Sequence, residues 1–345
     1  MKAAVFYGPN QPLKVEEVPK PEINAEEILV KVAACGLCHT DLHYIDHGVP
    51  TFKKPPLILG HEISGVVAEA GPNVSNFKVG DRVLLPAVMG CGVCENCRSG
   101  RENICNSMVM PGNDVDGGFA EYIKAPAKDC FKMPDEIPLQ EGCVIADAVT
   151  TPYHAVKNRG KVQPGDQVVV FGCGGIGLNL VQVANSAGGS VIAIDINQKK
   201  LDKALELGAV AVINAAEAPD VAKAVRKLTN GGAEIVFECI GNTKTQETAY
   251  KCAKNGGRLV IVGYSEHPMP LNVARMQYRE MEVIGSLGCR SVDYPRVIEM
   301  VRSGKLALMP LISKRFSLEQ INEGLDYLRS GDGFRSIVVL DESLK

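Results

Sequence analysis

The run Gly172-Cys173-Gly174-Gly175-Ile176-Gly177 constrains this chain more than any other stretch: its G-x-G-x-x-G spacing follows the apolar segment 168–171 and opens a helical stretch, 178–187. Positions without side chains let the backbone turn tightly and approach a pyrophosphate, which the N-terminus of the following helix attracts. A second apolar segment lies at 191–194, and strand, helix and strand in that order make a parallel βαβ unit. Apolar segments at 235–237 and 259–262 continue the pattern, so the second half reads as α/β with a doubly wound parallel sheet. Asp195 ends the second strand 23 residues after Gly172, where a carboxylate meets the adenosine ribose of a dinucleotide. A packing turn with an incidental Asp is the alternative. The candidate cofactor set in this half is Gly172, Gly174, Gly175, Ile176, Gly177, Asp195, Lys200 and Val262. A carboxylate at 195 favours NAD over NADP, because it repels a 2′-phosphate.

The first 135 or so residues have a different texture, with short β-type runs at 28–32, 64–69 and 82–85 punctuated by Gly and Pro, and read as an all-β region. Between the two regions, 139–148 and 150–157 read as two helices meeting at a hinge, with Pro152 near the start of the second. A chain of 345 residues, 46% hydrophobic and 22% charged, is long enough for two separate cores. Its formal net charge of −3 provides no field to gather phosphate backbones or anionic lipid, so nucleic acid and membrane are not expected partners. No apolar run approaches the roughly 20 residues of a membrane helix, and Gly8 and Pro9 cut short any secretory leader. Twelve cysteines in so large a chain suggest thiolates serving as metal ligands in a reducing cytoplasm rather than a disulfide scaffold.

Cys91, Cys94, Cys97 and Cys105, spaced C-x2-C-x2-C-x7-C, can close a tetrahedron around Zn²⁺ with no open position, which is the mark of a structural zinc. Free or disulfide-bonded thiols are the alternative. A zinc knuckle for nucleic acid is disfavoured, since Arg98 and Arg101 are offset by Glu95 and Glu102. The second cluster comprises Cys38, His39, Thr40, Asp41 and His43, then Gly60-His61-Glu62, and much later Asp147. Cys, His and carboxylate ligands from separated segments suit a catalytic zinc with three protein ligands and one vacancy. His61 as a satisfied structural histidine, or Cys35-x2-Cys38 as a redox pair, stays open on the residues alone. The β-rich setting argues against the redox pair, which belongs at a strand-to-helix turn of a βαβ unit.

Taken together, Gly60-His61-Glu62-Ile63-Ser64-Gly65, the Gly80-Asp81-Arg82-Val83 turn, the four-cysteine lobe and the dinucleotide fingerprint make the chain similar, over nearly its whole length, to the zinc-containing alcohol dehydrogenases of the medium-chain dehydrogenase/reductase superfamily. The resemblance implies a GroES-like β-rich catalytic domain at 1–148, with a structural-zinc lobe at about 88–108. It further implies a Rossmann domain at 149–287 and a segment, 288–345, that returns to the catalytic domain. Cys38 and His61 would bind catalytic zinc with Glu62 adjacent, and Asp41 would orient a ligand. Thr40 and His43 match a proton relay, and His39 and Arg335 match residues near the cofactor pyrophosphate. The departure is the third ligand: many relatives have Cys where this chain has Asp147, in Ala146-Asp147-Ala148-Val149-Thr150-Thr151-Pro152-Tyr153. Cys143, expected on the same helix face, is the rival ligand, but Thr151 and Tyr153 keep the family register with Asp147.

The implied reaction is hydride transfer between a primary or secondary alcohol and NAD, giving aldehyde or ketone, with two Zn²⁺ per chain in a cytoplasmic homodimer or homotetramer. The same run is also similar to dehydrogenases of cyclic hydroxyacyl-CoA compounds of the 6-hydroxycyclohex-1-ene-1-carbonyl-CoA type, which is the alternative substrate class. A zinc-free quinone or enoyl reductase is disfavoured by the presence of Cys38, His61 and Asp147. A non-catalytic crystallin-like or regulatory protein of the same fold is the alternative of a different kind.

Overall fold

The computed structural model describes residues 1–344. They divide into one unit formed by Met1–Thr150 with the chain from Gly288 onward, and a second formed by Thr151–Leu287.

The second unit is a six-stranded sheet in the order Ala211–Asn214, Ser190–Asp195, Gln167–Phe171, Ala233–Glu238, Ala253–Ile261 and Glu282–Gly285, with every pairing parallel. Its central strands are unbroken apolar runs because both faces are covered: Val168, Val169 and Val170 are fully buried, so alternation has no reason to appear. From Gln167–Phe171 the chain first winds one way, to Ser190–Asp195 and Ala211–Asn214, and then the other, to Ala233–Glu238. This reversal opens a crevice beyond the carboxyl ends of the strands, where ligands of such sheets bind.

The first unit is β-rich. Lys14–Glu17, Lys2–Phe6 and Leu57–Ile58 form a small antiparallel sheet. A larger sheet runs Ile312–Ser317, Arg335–Val339, Glu27–Leu37, Glu62–Ala70, Arg82–Leu85 and Phe131–Lys132, and Tyr122–Pro126 also pairs with Glu27–Leu37. Two of these strands come from the C-terminal segment, so the chain after Gly288 completes the sheet begun near the N-terminus. The pairing register fixes which residues meet. Gly36 stands opposite Glu62 on one side and Ile337 on the other, and Leu37 stands opposite Ser336. Cys38 is thereby delivered to the end of the sheet beside Arg335, where the short helix His39–Ile45 begins.

Three expectations are corrected by the structure. The region before residue 135 is not wholly β, since His39–Ile45 is helical and Asp41, Leu42, Tyr44 and Ile45 are buried along it. The stretch expected as a helix at 139–148 is a short 3₁₀ segment, Glu141–Ala146, buried at every position. Even its one charged residue, Glu141, is buried, so the sequence carries no exposed-face period to distinguish a long helix from a tight turn. The second expected helix begins at Thr150 but widens into a π-helical stretch, His154–Gly160. The face shared by Cys143 and Asp147 therefore does not exist. A 3₁₀ turn repeats every three residues, and Asp147 lies at its end with φ −138° and ψ −55°.

Candidate active site

Three separate segments of the first unit meet at Cys38, His61, Glu62 and Asp147. One potential ligand atom from each lies within 4.8 Å of all the others. The local causes can be read from the backbone. Cys38 is the N-cap of His39–Ile45, and its N–H donates to Asp41 Oδ2 at 3.1 Å, so the first turn of the helix is tied to the thiol that precedes it. Gly60, at φ +92°, turns the chain sharply before His61, and a Cβ there would meet Cys35 Sγ at 2.8 Å. Gly36 leaves room for Glu62, whose carboxylate occupies the space a side chain at 36 would need.

The His61 ring is set between two carboxylates: Nδ1 lies 3.8 Å from Asp41 Oδ1, and Nε2 lies 3.8 Å from Asp147 Oδ2. Buried His61 Nε2 and Asp41 Oδ1 have no hydrogen-bond partner among the described residues. Orphaned buried polar atoms are costly. Four acidic side chains gather here, while the Arg335 guanidinium is bound to Glu62. A divalent cation among Cys38, His61 and Asp147 answers both the orphaned nitrogen and the charge imbalance, so the donor set fits one.

The acid–base behaviour points the same way. Burial pushes the Cys38 thiol up, but the His61 imidazole outweighs it and holds the thiol below its ordinary range. Burial pushes His61 down, and Asp147 and Cys38 reverse this, holding the ring well above its usual value. The cluster thus draws in positive charge even when only a proton supplies it. Glu62 and Arg335 form a buried ion pair at the side of the cluster. The structure therefore gives Arg335, which the resemblance placed at the pyrophosphate, a carboxylate partner beside the Cys38, His61 and Asp147 cluster.

Thr40 Oγ1 lies 3.6 Å from Cys38 Sγ, and His43 follows it by three residues on the same face of His39–Ile45. His39 is exposed at the first position of that helix.

The four-cysteine lobe holds its thiols in the free state. Cys91 Sγ and Cys97 Sγ are 3.9 Å apart, and Cys94 Sγ and Cys105 Sγ 3.7 Å apart. A tetrahedron with Zn–S of about 2.3 Å has edges of about 3.8 Å, so the sulfurs already stand at metal-binding separations. Backbone amides point at them: Cys94 N–H donates to Cys91 Sγ at 3.3 Å, and Ser107 N–H to Cys105 Sγ at 3.3 Å. Amide donors, from Val93 and Cys94 foremost, lower the Cys91 thiol to about 6, while burial pushes Cys97 up to about 12. Without a cation, the thiols cannot all ionise together.

In the second unit each fingerprint glycine has a separate reason. Gly172 has φ +90°, a side chain at Gly177 would collide with the Gly172 carbonyl, and no protein atom lies within 4 Å of where a Gly174 side chain would begin. The turn, the close packing and the open approach for a pyrophosphate are thereby distributed among them. Gly175 opens the helix Gly175–Ser186, with Ile176 next. Asp195 accepts the Cys173 N–H at 2.7 Å and the Asn197 N–H at 2.9 Å. Its carboxylate is fixed beside the glycine turn. Lys200 lies on the helix Gln198–Glu206, and Val262 directly follows Ala253–Ile261.

Two contributors carry no motif in the sequence. Glu238, buried at the end of Ala233–Glu238, accepts from Ile240 N–H at 3.0 Å, Gly241 N–H at 3.1 Å and Thr245 Oγ1 at 2.8 Å, and so shapes a loop at the ligand-binding edge of the sheet. Tyr294, stacked on Phe131 at 4.7 Å, donates its hydroxyl to the Ala146 carbonyl at 2.7 Å, and Thr150 Oγ1 donates to the same oxygen at 3.0 Å. Both pin the residue immediately before Asp147. Neither Glu238 nor Tyr294 could be singled out from spacing, since each acts through isolated contacts. Tyr294→Phe keeps the stack and deletes one hydrogen bond, which should cost about 1 kcal/mol. A thermal scan should fall by about 2 °C, and chelator should strip zinc faster; unchanged values for both would mean that the hydroxyl does not hold the ligand turn.

The chain matches the family described as Alcohol dehydrogenase GroES-like domain over residues 24–135, and that described as Zinc-binding dehydrogenase over residues 175–303. It is 37% identical over 332 residues to an alcohol dehydrogenase of Geobacillus stearothermophilus, covering 96% of this chain and 97% of that one. It is 35% identical to a sorbitol dehydrogenase of Bacillus subtilis strain 168, covering 94% and 93%. Among solved structures, a zinc-binding dehydrogenase of Sinorhizobium meliloti 1021 bound to NADP is similar at a TM-score of 0.91 and 30% identity, covering 98% of this chain and 99% of that one.

Proposed function

The chain belongs to the zinc-containing alcohol dehydrogenases of the medium-chain dehydrogenase/reductase superfamily, and we propose that Cys38, His61 and Asp147 hold its catalytic zinc, that Cys91, Cys94, Cys97 and Cys105 hold a second, structural zinc, and that NAD is its hydride acceptor. As a member it is an oxidoreductase of alcohols that uses zinc and a nicotinamide cofactor. The observation that carries the catalytic assignment is the buried His61 Nε2, unpartnered and facing Cys38 and Asp147.

Zinc in such a donor set supplies Lewis acidity, lowering the pKa of a hydroxyl by several units so that hydride can leave the neighbouring carbon. The remaining tasks fall to the chain. The Asp41 carboxylate stands on the Nδ1 side of His61 and favours a proton on that nitrogen, which leaves Nε2 as the ligand. Arg335 balances Glu62, so that carboxylate does not add an uncompensated charge. Thr40 passes on the alcohol proton, and the His43 imidazole accepts it. Burial of Cys38, His61, Asp41 and Glu62 keeps bulk water from this end of the sheet. In the other unit the glycine turn and the N-terminus of Gly175–Ser186 take the pyrophosphate, and Asp195 takes the ribose hydroxyls.

Asp195 also carries the choice of NAD. A unit charge pair at about 4 Å costs roughly 4 kcal/mol at an effective dielectric of 20, so a 2′-phosphate beside the carboxylate should be disfavoured about a hundredfold even after screening. The two amide bonds prevent the carboxylate from swinging away. The test is the ratio of kcat/KM for NAD and NADP across a panel of primary, secondary and cyclic alcohols. A ratio of about 100 in favour of NAD is expected. A preference for NADP would assign the ribose pocket to Lys199 and Lys200 instead.

A further inference from the structure

We propose that Glu238 is a positioning residue for the dinucleotide: it holds the loop 239–242 and the residues 262–263 against the glycine turn, and the affinity for NAD depends on it. The inference rests on the reading of this unit as the NAD site. Glu238 is the last residue of Ala233–Glu238, fully buried, and pairs with Phe171 immediately before the turn. Its Oε1 accepts Ile240 N–H at 3.0 Å and Gly241 N–H at 3.1 Å, and its Oε2 accepts Gly241 N–H at 3.2 Å. A backbone amide only donates, so the sense of these bonds is fixed. The Glu238 carbonyl in turn accepts Val262 N–H and Gly263 N–H, both at 2.9 Å. One residue thus ties the first loop through its side chain and the second through its backbone.

The two loops touch each other and the turn. Gly241 has φ +78°, and a side chain at Gly263 would collide with Gly241 N. A Cβ on Gly172 would meet Ile240 Cγ1 at 2.6 Å, so the Ile240 side chain lies against the first fingerprint glycine. Drift of the loop 239–242 therefore moves Ile240 over the turn and disturbs Gly263 beside Val262. Two carboxylates, at the ends of the strands on either side of Gln167–Phe171, hold amides at this edge of the sheet: Asp195 on Ser190–Asp195 and Glu238 on Ala233–Glu238. Asp195 keeps partial exposure, whereas Glu238 has none and acts only through the backbone it holds.

A fully buried carboxyl costs free energy unless it is hydrogen-bonded, and an apolar residue would fill the end of a buried strand without that cost. What the carboxyl adds is an acceptor for two loop amides. Burial pushes its pKa up, against the pull of the Thr245 hydroxyl and those amides, so an uncharged glutamine of nearly the same shape is a close replacement. Alanine leaves both amides without their acceptor.

The test measures NADH binding directly, by titrating nicotinamide fluorescence in the zinc-loaded enzyme, for the parent, Glu238→Ala, Glu238→Gln and Asp195→Ala. The KM for NAD, the KM for alcohol and the zinc content are measured alongside. Glu238→Ala should weaken NADH binding and raise the KM for NAD about tenfold, the scale of one lost hydrogen bond, with zinc content and the KM for alcohol at parental values. Glu238→Gln should stay within about threefold of the parent. Where Glu238→Ala does not fold, Glu238→Asp carries the same expectation, since it keeps the charge and withdraws the carboxylate by one methylene. Parental NADH affinity in Glu238→Ala beside weakened binding in Asp195→Ala would overturn the role of Glu238 and leave the NAD site standing. Both KM values rising together, the mark of a merely structural loss, or equal losses in the Ala and Gln variants, would overturn it as well. Parental binding in Asp195→Ala would overturn the site itself.

Discussion

Asp147→Ala should lower alcohol oxidation by more than about a thousandfold and remove about one zinc per chain, because even the outer-shell partners of metal ligands cost about 10-fold to 100-fold when lost. The expectation rests on position. Asp147 Oδ2 lies 3.8 Å from His61 Nε2, and its side chain keeps 18% exposure, so it is the partly open edge of an otherwise buried cluster. Cys143 is the necessary control, since a thiolate four residues away would otherwise explain the same zinc. That thiol is fully buried, and burial first, then the neighbouring Cys35, pushes it well above its ordinary range. Cys143→Ser should therefore retain both zinc ions and most activity. The reverse pattern, with Cys143→Ser inactive and Asp147→Ala active, would displace the third ligand.

Cys94→Ser should produce the second large effect, on stability rather than chemistry. The lobe around the four cysteines has only the one-turn helix Glu95–Arg98 and the 3₁₀ turn Glu102–Ile104, with Cys97, Asn103 and Cys105 buried and Val93 exposed. Without an apolar core of its own, such a lobe depends on its metal; structural zinc contributes an apparent 10–16 kcal/mol or so to folding in small zinc domains. Loss of one zinc, a fall of more than about 5 °C in melting temperature and rapid proteolysis near the lobe are expected. An intact zinc count in Cys94→Ser, read by elemental analysis, would remove the structural site from the account.

The parts of the fold that could be read from the sequence are those in which spacing alone fixes chemistry. Gly172, Gly174 and Gly177 required only a preceding strand and a following helix to become a dinucleotide turn, and the four cysteines lie close enough in sequence to close on themselves. Residues brought together by sheet register were not legible as partners. Arg335 meets Glu62 because the C-terminal strand pairs with Glu27–Leu37, and nothing local to either residue announces it. Asp147 was assigned from family register, and the shared helix face that made Cys143 its rival is absent from the structure. Glu141–Ala146 is buried throughout, its one charged residue Glu141 included, so its pattern of polar and apolar residues does not reveal a period. Tyr294 and Glu238 each act through contacts to single backbone or side-chain atoms, a kind of contact that leaves no pattern in the chain.

Anomalous diffraction at the zinc absorption edge, recorded from crystals of the active enzyme, tests the central claim most directly. Two peaks per chain are expected, one bounded by Cys38, His61 and Asp147 and the other by Cys91, Cys94, Cys97 and Cys105. A fully active enzyme with no peak at the first cluster, or with that peak coordinated by Cys143 in place of Asp147, would contradict it.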